Sequence, residues 1–295
     1  MNLTTLSIFA AAFVPMLAFA VAVAIDRNRR KQSEKPPQQE KLLRPPGYSL
    51  PIRLEKIQDA ILNDILAACA LCGIAGASAL TLASFLGAHV SALPSALALA
   101  VFAAFAVAGA MLALRAFRRM NEAQNVRLGL RGEQAVAETL HEVADCGFRV
   151  FHDLPGGDDW NIDHVAVGVR GVFLIETKAR RRRASRNGQP EHVVAYDGNT
   201  LQFPSSYDTA AIAQAERNAR WLAEFLSKMT AEAVTVEPLV VLPGWFVETK
   251  GNFPVKVMNA TYLTGYLRGQ RERIEPTQAR RIVAALDAKC RDVEF

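Results

Sequence analysis

The stretch from residue 161 to residue 178 has the sequence NIDHVAVGVRGVFLIETK. Two apolar runs of strand length flank a Val-Arg-Gly turn, so the pattern predicts a β-hairpin. A two-residue turn at Arg170 and Gly171 would place Asp163 opposite Lys178. Apolar residues occupy both faces of this hairpin, which indicates a buried, central pair of strands rather than an edge.

Three ionisable residues interrupt the apolar pattern: Asp163, Glu176 and Lys178. They share one face, because side chains alternate along a strand. Burying two carboxylates with an ammonium is costly without compensation, and close carboxylates repel each other. A divalent cation such as Mg²⁺ would resolve the conflict and activate a water for phosphodiester hydrolysis, with Lys178 orienting that water or binding a phosphate oxygen. A structural ion pair with a strand-end glutamate is the alternative, and the motif alone leaves both open.

The apolar residues of this 295-residue chain are unevenly distributed. Leu3–Ile25 carries no charge and is long enough to cross a bilayer as a helix. No charged residue occurs from Ile65 to Leu114 either, and a short interruption divides this stretch into two predicted helices, Ile65–Leu86 and Ser95–Leu114. A buried soluble hairpin is an improbable alternative for so long an uncharged stretch.

Basic residues follow the first and the third apolar span, and none lies between the second and the third. The positive-inside rule then predicts a multi-pass protein of the cell membrane, with the N-terminus outside and everything after Arg115 in the cytoplasm. A signal peptide fits the first span less well, because no basic residue precedes it. Cys69 and Cys72 lie within the second span without a second ligand pair, which argues against a zinc site.

The chain therefore divides into six predicted segments. They are a transmembrane helix at 1–25, a mostly extended cytoplasmic basic loop at 26–64, transmembrane helices two and three within 65–114, a linker at 115–126, a soluble α/β domain at 127–249 and a C-terminal extension at 250–295. A short amphipathic helix is possible at 53–64, leading into the second span.

Periodicity and turn chemistry predict the elements of the soluble domain and its extension. They are a helix at 128–143, a strand at 148–152, the hairpin at 161–178, a second hairpin at 192–203, a helix at 210–228, a buried strand at 234–242, an edge strand at 255–258 and a closing helix at 277–289. This order indicates a mixed α/β sandwich.

Several of these elements together resemble the nuclease-related domain, NERD, of the PD-(D/E)xK nuclease superfamily. The matching residues are Arg131-Gly132-Glu133, Ile162-Asp163-His164-Val165, Gly171-Val172-Phe173-Leu174-Ile175-Glu176-Thr177-Lys178 and Gln214. The resemblance implies a restriction-endonuclease-like αβββαβ sandwich, here preceded by the three-helix transmembrane region. Ile162 stands where the superfamily name has a proline, but only the neighbouring aspartate carries chemistry.

The resemblance also implies a set of site residues and a Mg²⁺ or Mn²⁺ cofactor. Asp163 and Glu176 would bind the metal, Lys178 would serve the attacking water, Glu133 would be a further ligand or water anchor, and Gln214 would assist from the later helix. The residues alone also allow two other interpretations, a solvated first-turn carboxylate at Glu133 and a surface position for Gln214. His164 should point to the opposite strand face from Asp163, as a packed or hydrogen-bonded histidine.

A basic run follows Lys178 directly. Its members are Arg180, Arg181, Arg182, Arg183 and Arg186. Such a run is often only a solvated charged surface, but its position favours contact with a nucleic-acid backbone. The sequence contains no zinc-finger spacing and no evident recognition helix, so sequence-independent binding is expected.

The resulting hypothesis is a membrane-anchored, Mg²⁺-dependent nuclease whose domain faces the cytoplasm. DNA is favoured over RNA only because the superfamily favours it. A non-catalytic nucleic-acid-binding or interaction module tethered to the membrane is the main alternative. A transporter is disfavoured, because the spans carry no charged residue to mark an ion path.

Overall fold

The computed structural model describes residues 41–85, 92–157, 160–182 and 190–293, with isolated positions 22, 25 and 29. The first predicted span, Leu3–Ile25, therefore lies outside the continuous described ranges. Within those ranges the chain forms two compact units. One contains residues 54–124, and the other contains residues 41–53 together with 125–293.

Two long helices supply the first unit, α1 (Ser49–Phe85) and α2 (Ala92–His141), although both extend beyond it. Each has a proline in its first turn, where the missing N–H costs no helical hydrogen bond. Inside the unit, Arg119 of α2 pairs with the buried Asp64 of α1. Arg119 also donates to the carbonyl oxygen of Ala60 over 2.9 Å.

The boundaries of these helices differ from the predicted ones. Helix α1 begins at Ser49, inside the predicted extended loop of 26–64, and it includes the short helix predicted at 53–64. Residues 115–126 continue α2 rather than form a separate linker. Charged residues marked those boundaries in the sequence, but charge does not end a helix that lacks an internal proline. Among the described residues, one helical segment, Ser49–Ile74, is long and apolar enough to cross a membrane. This segment overlaps only the second predicted span, at residues 65–74, so the described residues do not support a multi-pass topology.

The second unit contains the remaining elements. Its strands are β1 (Leu42–Leu43), β2 (Arg149–Pro155), β3 (Asn161–Gly168), β4 (Gly171–Thr177), β5 (Val193–Tyr196), β6 (Leu201–Phe203), β7 (Ser206–Asp208), β8 (Val236–Val241), β9 (Phe246–Thr249), β10 (Lys256–Met258) and β11 (Arg291–Val293). Its further helices are α3 (Ala210–Thr230), α4 (Ala260–Arg268) and α5 (Pro276–Cys290), and it includes the C-terminal part of α2.

A five-stranded sheet in the order β10-β8-β4-β3-β2 forms the centre of this unit. Strands β10, β8 and β4 are parallel, and β4, β3 and β2 are antiparallel. Apolar side chains of α3 and α5 pack against one face, and those of α2 and α4 pack against the other. Six of the seven residues of β4 are buried, as expected for a central strand covered on both faces.

The order of elements in this core is α2, β2, β3, β4, α3, β8, so the predicted αβββαβ arrangement is present in a mixed α/β fold. The second predicted hairpin is also confirmed, with β5 and β6 antiparallel. It belongs to a separate four-stranded sheet in the order β7-β6-β5-β9. The predicted edge strand and closing helix correspond to β10 and α5.

The register of the central hairpin differs from the predicted one. Gly168 pairs with Gly171, so the turn consists of Val169 and Arg170. Gly171 has a φ of 142°, which a residue with a side chain rarely adopts. Continuing the register places Asp163 opposite Glu176, where opposition to Lys178 was predicted. Moving a two-residue turn by one position shifts each partner by two residues, so the side chains stay on the expected face.

Candidate active site

Glu176 is the most deeply buried carboxylate at the end of β4, with 1% of its surface exposed. Both of its oxygens accept hydrogen bonds from amide side chains of α3. Asn218 Nδ2 donates to Oε1 over 2.5 Å, and Gln214 Nε2 donates to Oε2 over 3.0 Å. Gln214 and Asn218 are four residues apart, which puts them on one face of the helix. Helix α3 therefore holds Glu176 in one orientation.

Lys178 lies on the other side of the same glutamine. Its ammonium donates to Gln214 Oε1 over 3.0 Å, and its backbone N–H donates to the carbonyl oxygen of Val241 in β8. One Gln214 side chain thus joins the acid and the amine of the ExK sequence, because an amide both donates and accepts. The structure places Gln214 beside Glu176 and Lys178, rather than at a remote surface position.

Asp163 approaches the same end of β4 from β3. Its Oδ2 accepts a hydrogen bond from the backbone N–H of Thr177 over 2.7 Å. Burial and the neighbouring carboxylates of Glu176 and Glu133 raise the pKa of Asp163 well above its ordinary value, against the opposing effects of Thr177 and Lys178. Asp163 is therefore a carboxyl group whose ionised form the fold disfavours when no cation is bound.

Glu133 reaches this region from α2 and is 6% exposed. Burial, followed by the charges of Asp153 and Glu176, raises the pKa of Glu133 to about 8. Its Oε2 atom is buried and has no hydrogen-bond partner among the described residues. A solvated first-turn carboxylate would show neither property, so that interpretation of Glu133 is wrong.

The preceding Gly132 explains how α2 comes so close. A Cβ atom at this position would lie 2.5 Å from Cβ of Ala179, which follows directly after Lys178. Only a residue without a side chain lets the helix pack against the segment that leaves β4. The Arg-Gly-Glu sequence therefore combines a close-packing residue with a buried acid.

These geometries bear on a metal in two ways. Burial raises the pKa of all three carboxyl groups, and the charge of Glu176 further raises the pKa values of Glu133 and Asp163. One oxygen of Glu133 has no partner among the described residues. Such a set of oxygen donors suits a hard cation. However, no group of three or more His, Cys, Asp or Glu side chains in the described ranges has the arrangement of a preformed metal site. The donor types fit a divalent cation, and their full convergence would have to accompany binding.

Residues 128–243 match the model of the nuclease-related domain family. The match spans Glu133, Asp163, Glu176, Lys178 and Gln214, and it covers less than half of the chain. Comparison of the chain with curated proteins and with solved structures gives no significant match.

The matched region contains a further buried acid, which no sequence motif marks. Asp153 in β2 is fully buried and has a φ of 50°. Its Oδ1 accepts from Ser49 over 2.7 Å and from Asn161 over 2.5 Å, and its Oδ2 accepts from Arg44 over 3.2 Å. Because both oxygens are occupied by this network, Asp153 organises structure around the site rather than offering a free ligand. Nothing in the local pattern of β2 distinguishes it from a strand-end aspartate.

Two of its partners lie far outside the matched region. Arg44 and Ser49 belong to a segment of residues 41–49, here called the strap, whose strand β1 pairs with β11 at the end of the chain. The strap also passes close to the candidate site, since a Cβ atom at Gly47 would lie 3.4 Å from the unpartnered Oε2 of Glu133. This part of the expected extended loop is therefore folded against the matched region.

His164 is buried and hydrogen-bonded, in agreement with its prediction. Its Nδ1 lies 2.8 Å from Nδ1 of His152, and the two rings meet edge to face. Burial lowers the pKa of His152 to about 4, and burial together with His152 lowers the pKa of His164 well below its ordinary value. Both rings are neutral at physiological pH, so one donates to the other.

The basic run after Lys178 is only partly available to a ligand. Arg180 pairs with Asp208 and lies over the ring of Phe203, and Arg182 donates to the carbonyl oxygen of Gly244. Arg181 is exposed. Arg183 and Arg186 lie outside the described residues.

Proposed function

We propose that this chain is a membrane-anchored, divalent-metal-dependent nuclease that hydrolyses phosphodiester bonds of nucleic acid, with DNA as the favoured substrate. The observation that carries the proposal is the buried group of mutually repelling acids beside Lys178. The match to the nuclease-related domain supports the reaction class. A purely structural ion pair is less satisfactory, because it leaves Oε2 of Glu133 unpaired and Asp163 strained by like charge.

Asp163, Glu176 and Glu133 are the residues proposed to hold Mg²⁺ or Mn²⁺. When bound, such a cation stabilises negative charge on a phosphate and lowers the pKa of a coordinated water. The fold's own contribution is to fix the ligand geometry. Asn218 and Gln214 orient Glu176, and the backbone N–H of Thr177 orients Asp163.

Lys178 is proposed to act on the attacking water or on a phosphate oxygen. Its ammonium is held by Gln214 rather than by a carboxylate, so its charge is not neutralised by an ion pair within the described residues. A positioned ammonium of this kind stabilises charge that develops in the transition state. Arg181, exposed three residues further along, is a candidate for contact with the neighbouring backbone phosphate.

Membrane attachment, with the nuclease-related domain in the cytoplasm, is part of the proposal. Support comes from the candidate span Ser49–Ile74. In addition, α2 carries large exposed apolar side chains, and these are Phe102, Val107, Met111, Leu114, Phe117 and Met120. Exposed apolar surface of this extent indicates a lipid or protein partner. Resistance of the full chain to alkaline extraction from isolated membranes is expected, and release into the supernatant would refute the attachment.

The decisive experiment uses the full chain purified in detergent. Labelled single-stranded and duplex DNA are incubated with Mg²⁺, with Mn²⁺ or with EDTA. We expect cleavage with either metal, none with EDTA, and a loss on the order of a hundredfold or more in Asp163→Asn and Lys178→Ala. Asp145→Asn and Lys250→Ala are the matched controls at exposed positions, and both should retain activity.

The alternative is a non-catalytic nucleic-acid-binding module. The absence of a preformed three-ligand group in the described ranges is the observation that favours it. Binding of DNA without cleavage in any metal, unaffected by Asp163→Asn, would establish this alternative. EDTA-insensitive cleavage would refute the proposed metal dependence instead.

A further inference from the structure

A cavity of about 400 Å³ opens beside Lys178 within the second unit. It is lined by residues from the N-terminal side of the matched region, from the segment after β4, and from β6, β7 and the turn before β9. They are Asn125, Leu128, Lys178, Ala179, Arg180, Arg181, Phe203, Ser205, Ser206, Asp208 and Trp245. No role has been assigned above to most of this lining.

The apolar wall of the cavity is rigid. Phe203 and Trp245 meet edge to face with their ring centroids 5.0 Å apart, and both rings are 2% exposed. The guanidinium of Arg180 lies 4.9 Å from the centre of the Phe203 ring. Trp245 Nε1 donates to the carbonyl oxygen of Arg180 over 3.3 Å. The wall is therefore rigid and apolar. Its rings are too closely packed to offer an open face for stacking, so it fixes the shape of the cavity.

The charge of the cavity suits an anionic ligand. Lys178, Arg180 and Arg181 contribute positive charge, and Asp208 contributes the only acidic side chain among the described residues of the lining. That acid is already committed, since it pairs with Arg180 and accepts from the first backbone N–H groups of α3. The lining thus has spare positive charge for a phosphate group.

The polar groups at the mouth provide hydrogen-bonding capacity. Asn125 contributes an amide, which both donates and accepts, and Ser205 and Ser206 contribute hydroxyls. Groups of this kind bind the edge of an unpaired base, whose donors and acceptors are not engaged by a complementary strand.

We propose that this cavity binds one unpaired nucleotide next to the scissile phosphate, so that the substrate is a single strand or a frayed end rather than an intact duplex. Its volume is in the range of small-molecule sites and suits a single nucleotide, whereas a base pair inside a duplex cannot enter it. Lys178 belongs both to the cavity and to the proposed active site, which places the bound nucleotide beside the cleaved bond. The inference rests on the proposed function, because a scissile phosphate exists only if the chain is a nuclease. Binding of the nucleotide can nevertheless be measured without cleavage.

The test uses the full chain and fills the cavity with the larger side chain of a tryptophan substituted at a lining residue. Asn125→Trp adds a ring at an exposed position of α2, and Ser205→Trp provides a second variant from the turn between β6 and β7 in case the first fails to fold. Gln124→Trp adds the same ring at the neighbouring exposed position, which does not line the cavity. All variants carry Asp163→Asn and are assayed in EDTA, so that neither cleavage nor metal enters the measurement. Three probes are used: a short oligothymidylate, a duplex of equal length and an oligouridylate. Their binding is measured by fluorescence anisotropy.

We expect the parent chain to bind oligothymidylate more tightly than the duplex. Filling the cavity should weaken that binding by about tenfold or more, because the nucleotide can no longer enter, while Gln124→Trp changes it little. Equal or tighter binding of the duplex, or unchanged binding in folded Asn125→Trp and Ser205→Trp chains, would overturn the inference. Equal binding of oligouridylate would extend the ligand to RNA. Failure of the wild-type chain to cleave with any metal would refute the proposed nuclease but leave this binding result intact.

Discussion

Arg44 and Asp153 lie 109 positions apart in sequence, and one guanidinium nitrogen of Arg44 donates to both the carbonyl oxygen and the carboxylate of Asp153, over 3.0 and 3.2 Å. The other side of the same guanidinium binds Asp292 over 2.7 and 2.6 Å. Arg44 thereby joins the strap, β2 and the C-terminal strand β11. The folded unit around the candidate site is larger than the matched region of residues 128–243.

Replacement of Arg44 by alanine should destabilise this unit by about 3 kcal/mol, because it leaves the fully buried Asp153 without its cationic partner. Denaturant unfolding of the full chain, followed by tryptophan fluorescence, measures the change. Arg281→Ala is the matched control, since its pair with Glu232 is exposed and should contribute less than about 1 kcal/mol. Equal effects of the two substitutions would show that the strap does not support the fold.

Two glycines of α2 should respond oppositely to alanine. Gly129→Ala meets only the Leu50 side chain at an ordinary distance of 3.7 Å, so the better helix propensity of alanine should stabilise the protein by up to about 1 kcal/mol. Gly132→Ala meets Ala179 at 2.5 Å, and overpacking should outweigh that gain, with a net loss of about 1 kcal/mol or more. Thermal unfolding of both variants provides the comparison, and a stabilised Gly132→Ala chain would contradict the close packing.

Divalent cations should raise the unfolding temperature of the full chain in detergent. A cation at a hundredfold excess over its dissociation constant stabilises the folded state by about 2.7 kcal/mol. The shift should be lost in Asp163→Asn and reduced in Glu133→Gln, because both substitutions remove a proposed ligand charge. Asp145→Asn should keep the full shift. A wild-type chain that shows no difference between Mn²⁺ and EDTA would count against the metal site.

Asn218 should influence the pH dependence of cleavage. It donates to Glu176 Oε1 and so favours the ionised carboxylate, whose pKa burial has already raised. Asn218→Ala removes that donor, so the pKa of Glu176 rises further and the acidic limb of the pH–rate profile moves to higher pH. Asn199→Ala, at an exposed turn, should leave the profile in place. A uniform loss of rate without a shifted limb would assign Asn218 a packing role only.

His152 should make a destabilising contribution in mild acid, opposite in sign to the contributions of Glu133 and Asp163, whose raised pKa values favour the folded chain there. Its folded-state pKa of about 4 is below the ordinary value of 6.5, so the unfolded chain binds the proton first as the pH decreases. The stabilisation is complete above pH 6.5 and is lost as the pH falls towards 4, by on the order of 3 kcal/mol. His152→Asn keeps a hydrogen-bonding partner for His164 but does not titrate, so its unfolding free energy should depend less on pH over this range. Parallel pH profiles of the two chains would contradict this assignment.

Much of the core could be predicted locally. Alternation of apolar residues around a tight turn identifies β3 and β4, and helical periodicity identifies α3 and α5, because these patterns depend on near neighbours in sequence. Short strands such as β7 and β9 have too few residues for a recognisable pattern. Helix α4 lies between the predicted edge strand at 255–258 and the predicted closing helix at 277–289, where the sequence analysis predicts no element. The ends of α1 and α2 were misplaced because charge was used as a boundary where the backbone continues as a helix.

The sequence by itself determined which acids and which amine belong together, since Glu176 and Lys178 alternate onto one face and a two-residue turn, at either of its possible positions, brings Asp163 to that same face. Only the tertiary structure decided the partner of each strand residue, the amide of Asn218 on Glu176, and the strap that reaches Asp153 through Arg44. Those contacts join residues tens of positions apart. Local periodicity carries no information about such pairs, because they form only when packing of the whole sheet and its helices brings the segments together.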